Sequence, residues 1–125
     1  MDCININYLC LSGDLNKIKK LKQQGYKLKY NNNSISLASQ KGHIHILEWF
    51  KNSGYKFKCS ENTINLASCN GRIHILKWFK DSGYKLKYDK WAIKYAIQNG
   101  RIDVLKWFKN NNYKGKLYYI KQYKN

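Results

Sequence analysis

No proline occurs in the 125 residues, so helix stops and chain reversals fall to other residues, chiefly the eight glycines. Arginine is nearly absent, with only Arg72 and Arg101. Guanidinium is the group suited to a bidentate grip on phosphate, so its scarcity argues against a dedicated phosphate-reading surface. The seven acids, Asp2, Asp14, Glu48, Glu61, Asp81, Asp89 and Asp103, are scattered, and form no pair placed for general acid–base work. His43 and His45 lie two apart, on different faces of any helix, and cannot chelate jointly. Cys3, Cys10, Cys59 and Cys69 form no CxxC pair and recur at no common spacing, which favours reduced, structural thiols over a zinc or disulfide framework. No glycine-rich phosphate loop is present. The expectation is a chain that is not an enzyme and has no metal and no cofactor. No apolar run reaches the roughly 20 residues of a membrane span. The opening MDCININYLCLSGD lacks a basic n-region and a small-residue cleavage site. An intracellular protein without signal peptide or membrane segment is therefore expected.

What is present is one phrase, repeated. GRIHILKWFKDSGYKL from Gly71 matches GHIHILEWFKNSGYKF from Gly42 at twelve of sixteen positions. It returns as GRIDVLKWFKNNNYKG from Gly100 and, more worn, as GDLNKIKKLKQQGYKL from Gly13. The leading glycines are 29 residues apart. A period of this size signals a stack of units, each burying its apolar face on its neighbours. One domain, 1–125, is expected, with copies at about 2–30, 31–59, 60–88 and 89–116 and a C-terminal cap at 117–125.

Eleven residues before each leading glycine stand Asp2, Asn31, Ser60 and Asp89, all good N-caps. The spacing predicts a first helix of nine or ten residues from each cap to each glycine. Its buried side holds Ile35, Leu37 and Ala38, then Ile64, Leu66 and Ala67, then Ile93, Tyr95 and Ala96. A polar stripe at i, i+3 and i+7 holds Asn33, Ser36 and Gln40, then Asn62, Asn65 and Cys69, then Trp91, Lys94 and Gln98. A second helix follows, with a wide apolar arc through Ile44, Ile46, Leu47, Trp49 and Phe50, and ends at Gly25, Gly54, Gly83 or Asn112. The Trp-Phe pairs are expected to pack between copies. In the first copy Lys20 replaces the tryptophan, so that helix can face water. His45 and His74 share a slot with Asp103 and Asn16, which reads as solvated surface. After the second glycine, Leu28, Phe57 and Leu86 point inward. The flanking lysines then form outward rows: Lys27 and Lys29, Lys56 and Lys58, Lys85 and Lys87, Lys114 and Lys116.

These residues resemble the ankyrin repeat. That family has an alanine four residues before Gly-His, two branched aliphatics shortly after, and a second glycine twelve after the first. Ala38, Gly42, His43, Ile46, Leu47 and Gly54 match it. So do Ala67, Gly71, Ile75, Leu76 and Gly83, and again Ala96, Gly100, Val104 and Leu105. The family's Thr-Pro-Leu-His opening is absent, and its period is about 33 residues. The shortfall lies where the family carries its β-hairpin. The resemblance thus implies an all-α, ankyrin-type solenoid of four helix-turn-helix repeats with shortened hairpin loops. Tetratricopeptide-type hairpins, with a longer period, are the rival architecture. Short copies rich in Lys, Asn and Ile look most like the ankyrin proteins of giant DNA viruses, which implies a viral protein acting in host cytoplasm.

The net charge of +17 admits two explanations. Lys, Asn, Ile and Tyr make up about half the chain, and all have codons that begin with two A or T bases. AT-rich coding inflates lysine without selection for phosphate, and is weighed ahead of nucleic-acid binding. The resemblance implies a non-catalytic protein–protein interaction module that binds in a concave groove. The groove would carry Asn33, Ser36, Gln40, Asn62, Asn65, Trp91, Lys94 and Gln98. Its partner would be a host or viral protein, acidic at its rim. Nucleic acid bound through the lysine rows is the alternative, and a self-assembling array a third; a monomer is preferred. Trp91 stands where other copies have Asn33 and Asn62, either as a binding anchor or folded down on Tyr88.

Overall fold

A computed structural model describes residues 2–111 and Tyr113. The chain is mostly helical. Eight helices occur among the described residues: α1 (Asn7–Ser12), α2 (Leu15–Gln23), α3 (Asn32–Gln40), α4 (Ile44–Asn52), α5 (Glu61–Cys69), α6 (Ile73–Ser82), α7 (Lys90–Gln98) and α8 (Ile102–Asn110). They alternate as first and second helices of the four copies. Each first helix packs on the next, α1 on α3, α3 on α5 and α5 on α7, while α4 packs on α6 and α6 on α8. None of the described helices is long and apolar enough to cross a membrane.

Local chemistry sets the helix ends. Asn31 opens α3 by accepting the Asn33 N–H at 2.9 Å, and the Ser34 hydroxyl returns a bond from the Asn31 N–H at 3.0 Å. Ser60 and Asp89 occupy the same slot before α5 and α7. The leading glycines take left-handed backbone, φ +80° at Gly42 and +68° at Gly71. Only glycine does this without strain, so each first helix stops there.

The first copy departs from expectation. Asp2 caps no helix. Cys3–Asn5 forms a short strand, β1, parallel to β2 (Lys27–Lys29), with Ile4 opposite Leu28. Helix α1 starts only at Asn7, whose N–H is accepted by Asn5 Oδ1 at 2.8 Å. The leading segment of the first copy thus pairs with β2. In β2 the expected alternation holds: Leu28 is buried between exposed Lys27 and Lys29.

The core runs through both helix rows. Ile35, Ala38, Ile64, Ala67, Ile93 and Ala96 line the first helices, and Phe50, Phe79 and Phe108 the second. Leu37, Leu66 and Tyr95 are only half-buried, whereas Ser39 and Ser68 are fully buried. Each inner first helix lies between two others, so it is covered on both flanks and its small polar residues are enclosed. Trp49, Trp78 and Trp107 are half-buried and meet Phe50, Phe79 and Phe108 edge-on at 5.1–5.3 Å. They pack within the stack, as expected of bulky rings between copies. Tyr113 stacks on Trp107 at 5.3 Å. The expected cap at 117–125 lies outside the described residues, as do Asn112, Lys114 and Lys116.

Candidate interaction surface

Two seams join the copies and decide which polar groups remain for a partner. The first runs between first helices. Asn7, Ser36, Asn65 and Lys94 occupy one slot, 29 residues apart. The residue in this slot reaches the next first helix. Asn7 Oδ1 accepts from the Ser34 hydroxyl, and Ser36 Oγ lies 2.8 Å from Thr63 Oγ1. The corresponding residue on α7 is Ala92, which has no hydroxyl. Asn65 turns instead to Asp89 and donates to its carboxylate at 2.9 Å.

The second seam ties each second helix to the preceding copy. His43 Nε2 lies 3.0 Å from the Leu11 carbonyl, Arg72 Nε donates to the Gln40 carbonyl at 3.0 Å, and Arg101 Nε to the Cys69 carbonyl at 3.1 Å. Each bond spans 32 residues. The acceptors lie in the last turns of α1, α3 and α5, where carbonyls have no partner within the helix and cations are favoured. His45 and His74 reach the carbonyls of Gly13 and Gly42 at 2.9 and 3.1 Å. A carbonyl only accepts, so Nε2 carries the proton in each ring. The shared His/Asp/Asn slot is exposed, yet its two histidines are committed to the preceding glycines. Both arginines are likewise committed to the fold.

Burial pushes His43 below the usual imidazole value of 6.5; the Leu11 carbonyl opposes this, while His45, Arg72 and Lys41 add to it. A depressed folded-state pKa gives stability that is complete above pH 6.5 and is lost as pH falls through the folded value. Acidification from pH 7 to 5 is therefore expected to destabilise the wild type more than His43→Gln. Paired thermal melts at the two pH values check this; equal slopes would reject it. Burial also pushes the Cys10 thiol up to about 12, which leaves it unreactive.

The eight expected groove residues fall into three sets. Ser36 and Asn65 are buried in the first seam, at 2% and 5% exposure, and are unavailable to a partner. Asn33, Asn62, Trp91 and Gln98 are exposed, while Gln40 and Lys94 are half-buried. Trp91 does not fold down on Tyr88; it stacks on Tyr95 at 5.4 Å, with the Lys94 ammonium 5.1 Å from its ring centre. Among the lysine rows, Lys27, Lys29, Lys56, Lys85 and Lys87 are exposed. Lys58 is half-buried, its ammonium 4.6 Å from the centre of the Tyr30 ring. Among the described residues, no three His, Cys, Asp or Glu side chains are grouped to hold a metal ion.

No protein-family model matches the chain, and no curated protein matches it. Function must therefore be argued from the surface itself. The second seam was missed by residue typing alone, but a signal for it exists. The residue after each leading glycine is His43, Arg72 or Arg101 in the second, third and fourth copies, and Asp14 in the first. Asp14 instead caps α2 by accepting the Lys17 N–H at 3.0 Å.

Proposed function

We propose that the chain is an ankyrin-type solenoid acting as a non-catalytic, monomeric protein-binding module. Serial packing of first helices on first helices, with left-handed glycines closing them, supports that architecture. One observation carries the functional reading. Buried Ser34, Ser36, Thr63 and Asn65 of the first-helix row bond to neighbouring copies, while Asn33, Asn62, Trp91 and Gln98 on the same helices remain exposed. That leaves polar groups and the exposed ring of Trp91, with exposed Lys29 and Lys87 in the segments that precede α3 and α7, a set suited to a protein partner with an acidic rim. Nucleic acid held by the exposed lysines is the second reading, favoured by the net charge of +17.

Capture of partners on the immobilised protein, with nuclease present, separates the two. Asn33→Arg with Asn62→Arg is expected to remove a nuclease-resistant protein partner. Changing Lys56, Lys85 and Lys87 to Glu should reduce its capture only modestly, because rim charges act mainly on association rate. Capture that disappears with nuclease, or with the lysine changes alone, would reverse the order of the two readings.

A further inference from the structure

We infer that the groove has an anchor point on α7, and that it takes an acidic peptide segment bearing an aromatic or aliphatic side chain. This rests on the groove reading above and adds the chemistry of the partner.

Neighbouring positions of α7 depart together from the two inner copies, while the first copy has Cys3, Ile4 and Tyr8 at these slots. Trp91 replaces Asn33 and Asn62, Tyr95 replaces Leu37 and Leu66, and Lys90 replaces Asn32 and Glu61. Standing last in the row among the described residues does not explain Trp91. A terminal unit gains by exchanging apolar groups for polar ones, and here an amide became an indole. Trp91 is 40% exposed and stacks on Tyr95 at an interplanar angle of 30°. The Lys90 ammonium stands 5.6 Å from its ring centre and that of Lys94 5.1 Å. The result is an apolar plate with positive charge held over it by cation–π attraction. Its complement is a flat or branched apolar side chain with carboxylates beside it. A nucleic-acid strand would need successive stacking platforms, but the equivalent slots on α3 and α5 hold Asn33 and Asn62. Their amides each donate and accept, like a peptide group. They can satisfy the backbone of an extended segment whose apolar side chain rests on Trp91.

The test uses the whole chain and fluorescent probes followed by anisotropy. The main probe is a peptide of glutamates around a central phenylalanine. Companion peptides replace that phenylalanine by alanine, or the glutamates by glutamine, and an oligothymidylate of matched charge is the fourth probe. Trp91→Asn is the informative variant, because asparagine fills the same slot in two copies and should preserve the fold. We expect about tenfold weaker binding from Trp91→Asn, a similar loss from phenylalanine to alanine, and little further loss when both are combined. The glutamine peptide should not bind.

Failure of the phenylalanine peptide to bind, or equal affinity for wild type and Trp91→Asn, would overturn the proposal. Tighter, Trp91-dependent binding of oligothymidylate would replace it with a nucleic-acid site. If the paired Asn33 and Asn62 variants abolish partner capture while Trp91→Asn changes nothing, the groove stands and the anchor falls. If neither matters, the groove reading itself is lost.

Discussion

Replacing Gly42 by alanine is expected to destabilise the protein by about 2–4 kcal/mol, one of the two largest single-residue effects expected here. Two causes add. Gly42 sits at φ +80°, where an L side chain costs about 1–2 kcal/mol. A methyl group there would also lie 2.9 Å from His74 Nε2 and 3.3 Å from Arg72 Cδ. Both neighbours are side chains and can shift, but shifting breaks their bonds to the Gly42 and Gln40 carbonyls. Gly100 is the internal control. It has φ +65°, and a methyl group there meets nothing within 4 Å among the described residues. Gly100→Ala should lose only the backbone part, about 1–2 kcal/mol. Urea denaturation followed by circular dichroism reads both. Equal losses at the two glycines would show that the seam contributes nothing. Adding His74→Ala to Gly42→Ala should recover part of the difference, since the clashing ring is gone.

Asp89→Ala should cost about 2–4 kcal/mol, more than an ordinary lost cap. One carboxylate oxygen serves two helices. Asp89 Oδ1 accepts the Trp91 N–H that opens α7 and the Asn65 amide from α5, both at 2.9 Å. Loss of the cap alone costs about 1 kcal/mol. The remainder comes from Asn65, which is 5% exposed and whose Oδ1 already has no partner among the described residues. Stranding its NH2 group as well costs about 1–3 kcal/mol. Asp89→Asn keeps an acceptor for both donors and should lose less than about 1 kcal/mol. Double-mutant analysis with Asn65→Ala checks the coupling. Strict additivity of the two changes would mean that the α5–α7 bond carries no energy.

Much of the fold was legible because its causes are local. A glycine at the end of an apolar-periodic run stops a helix wherever that run lies. Asn31, Ser60 and Asp89 cap by bonding groups two or three residues away. The wide apolar arc around Leu47 and Phe50, and its copies around Leu76 and Phe79, required cover from two sides.

The candidate surface was less legible, because exposure depends on the neighbouring unit. By helical spacing, Asn33, Ser36 and Gln40 are one stripe and cannot be ranked. Only the approach of α5 to α3 encloses Ser36 and leaves Asn33 in water. Trp91 was visible as an anomaly from the start, but its stacking on Tyr95 instead of Tyr88 depends on a rotamer that no spacing specifies.

The amino-acid order by itself determined the helix pairs, their stops and the 29-residue beat, since each follows from contacts within a few residues. Tertiary structure decided three things. It turned the first copy's leading segment into strand β1, because that segment lies alongside β2 and pairs with it in parallel. It committed Arg72, Arg101 and the three histidines to carbonyls 32 residues back, a distance the repeat does not spell out. And it divided one polar stripe into buried bonds and an open surface, because water reaches a helix only where the next helix does not.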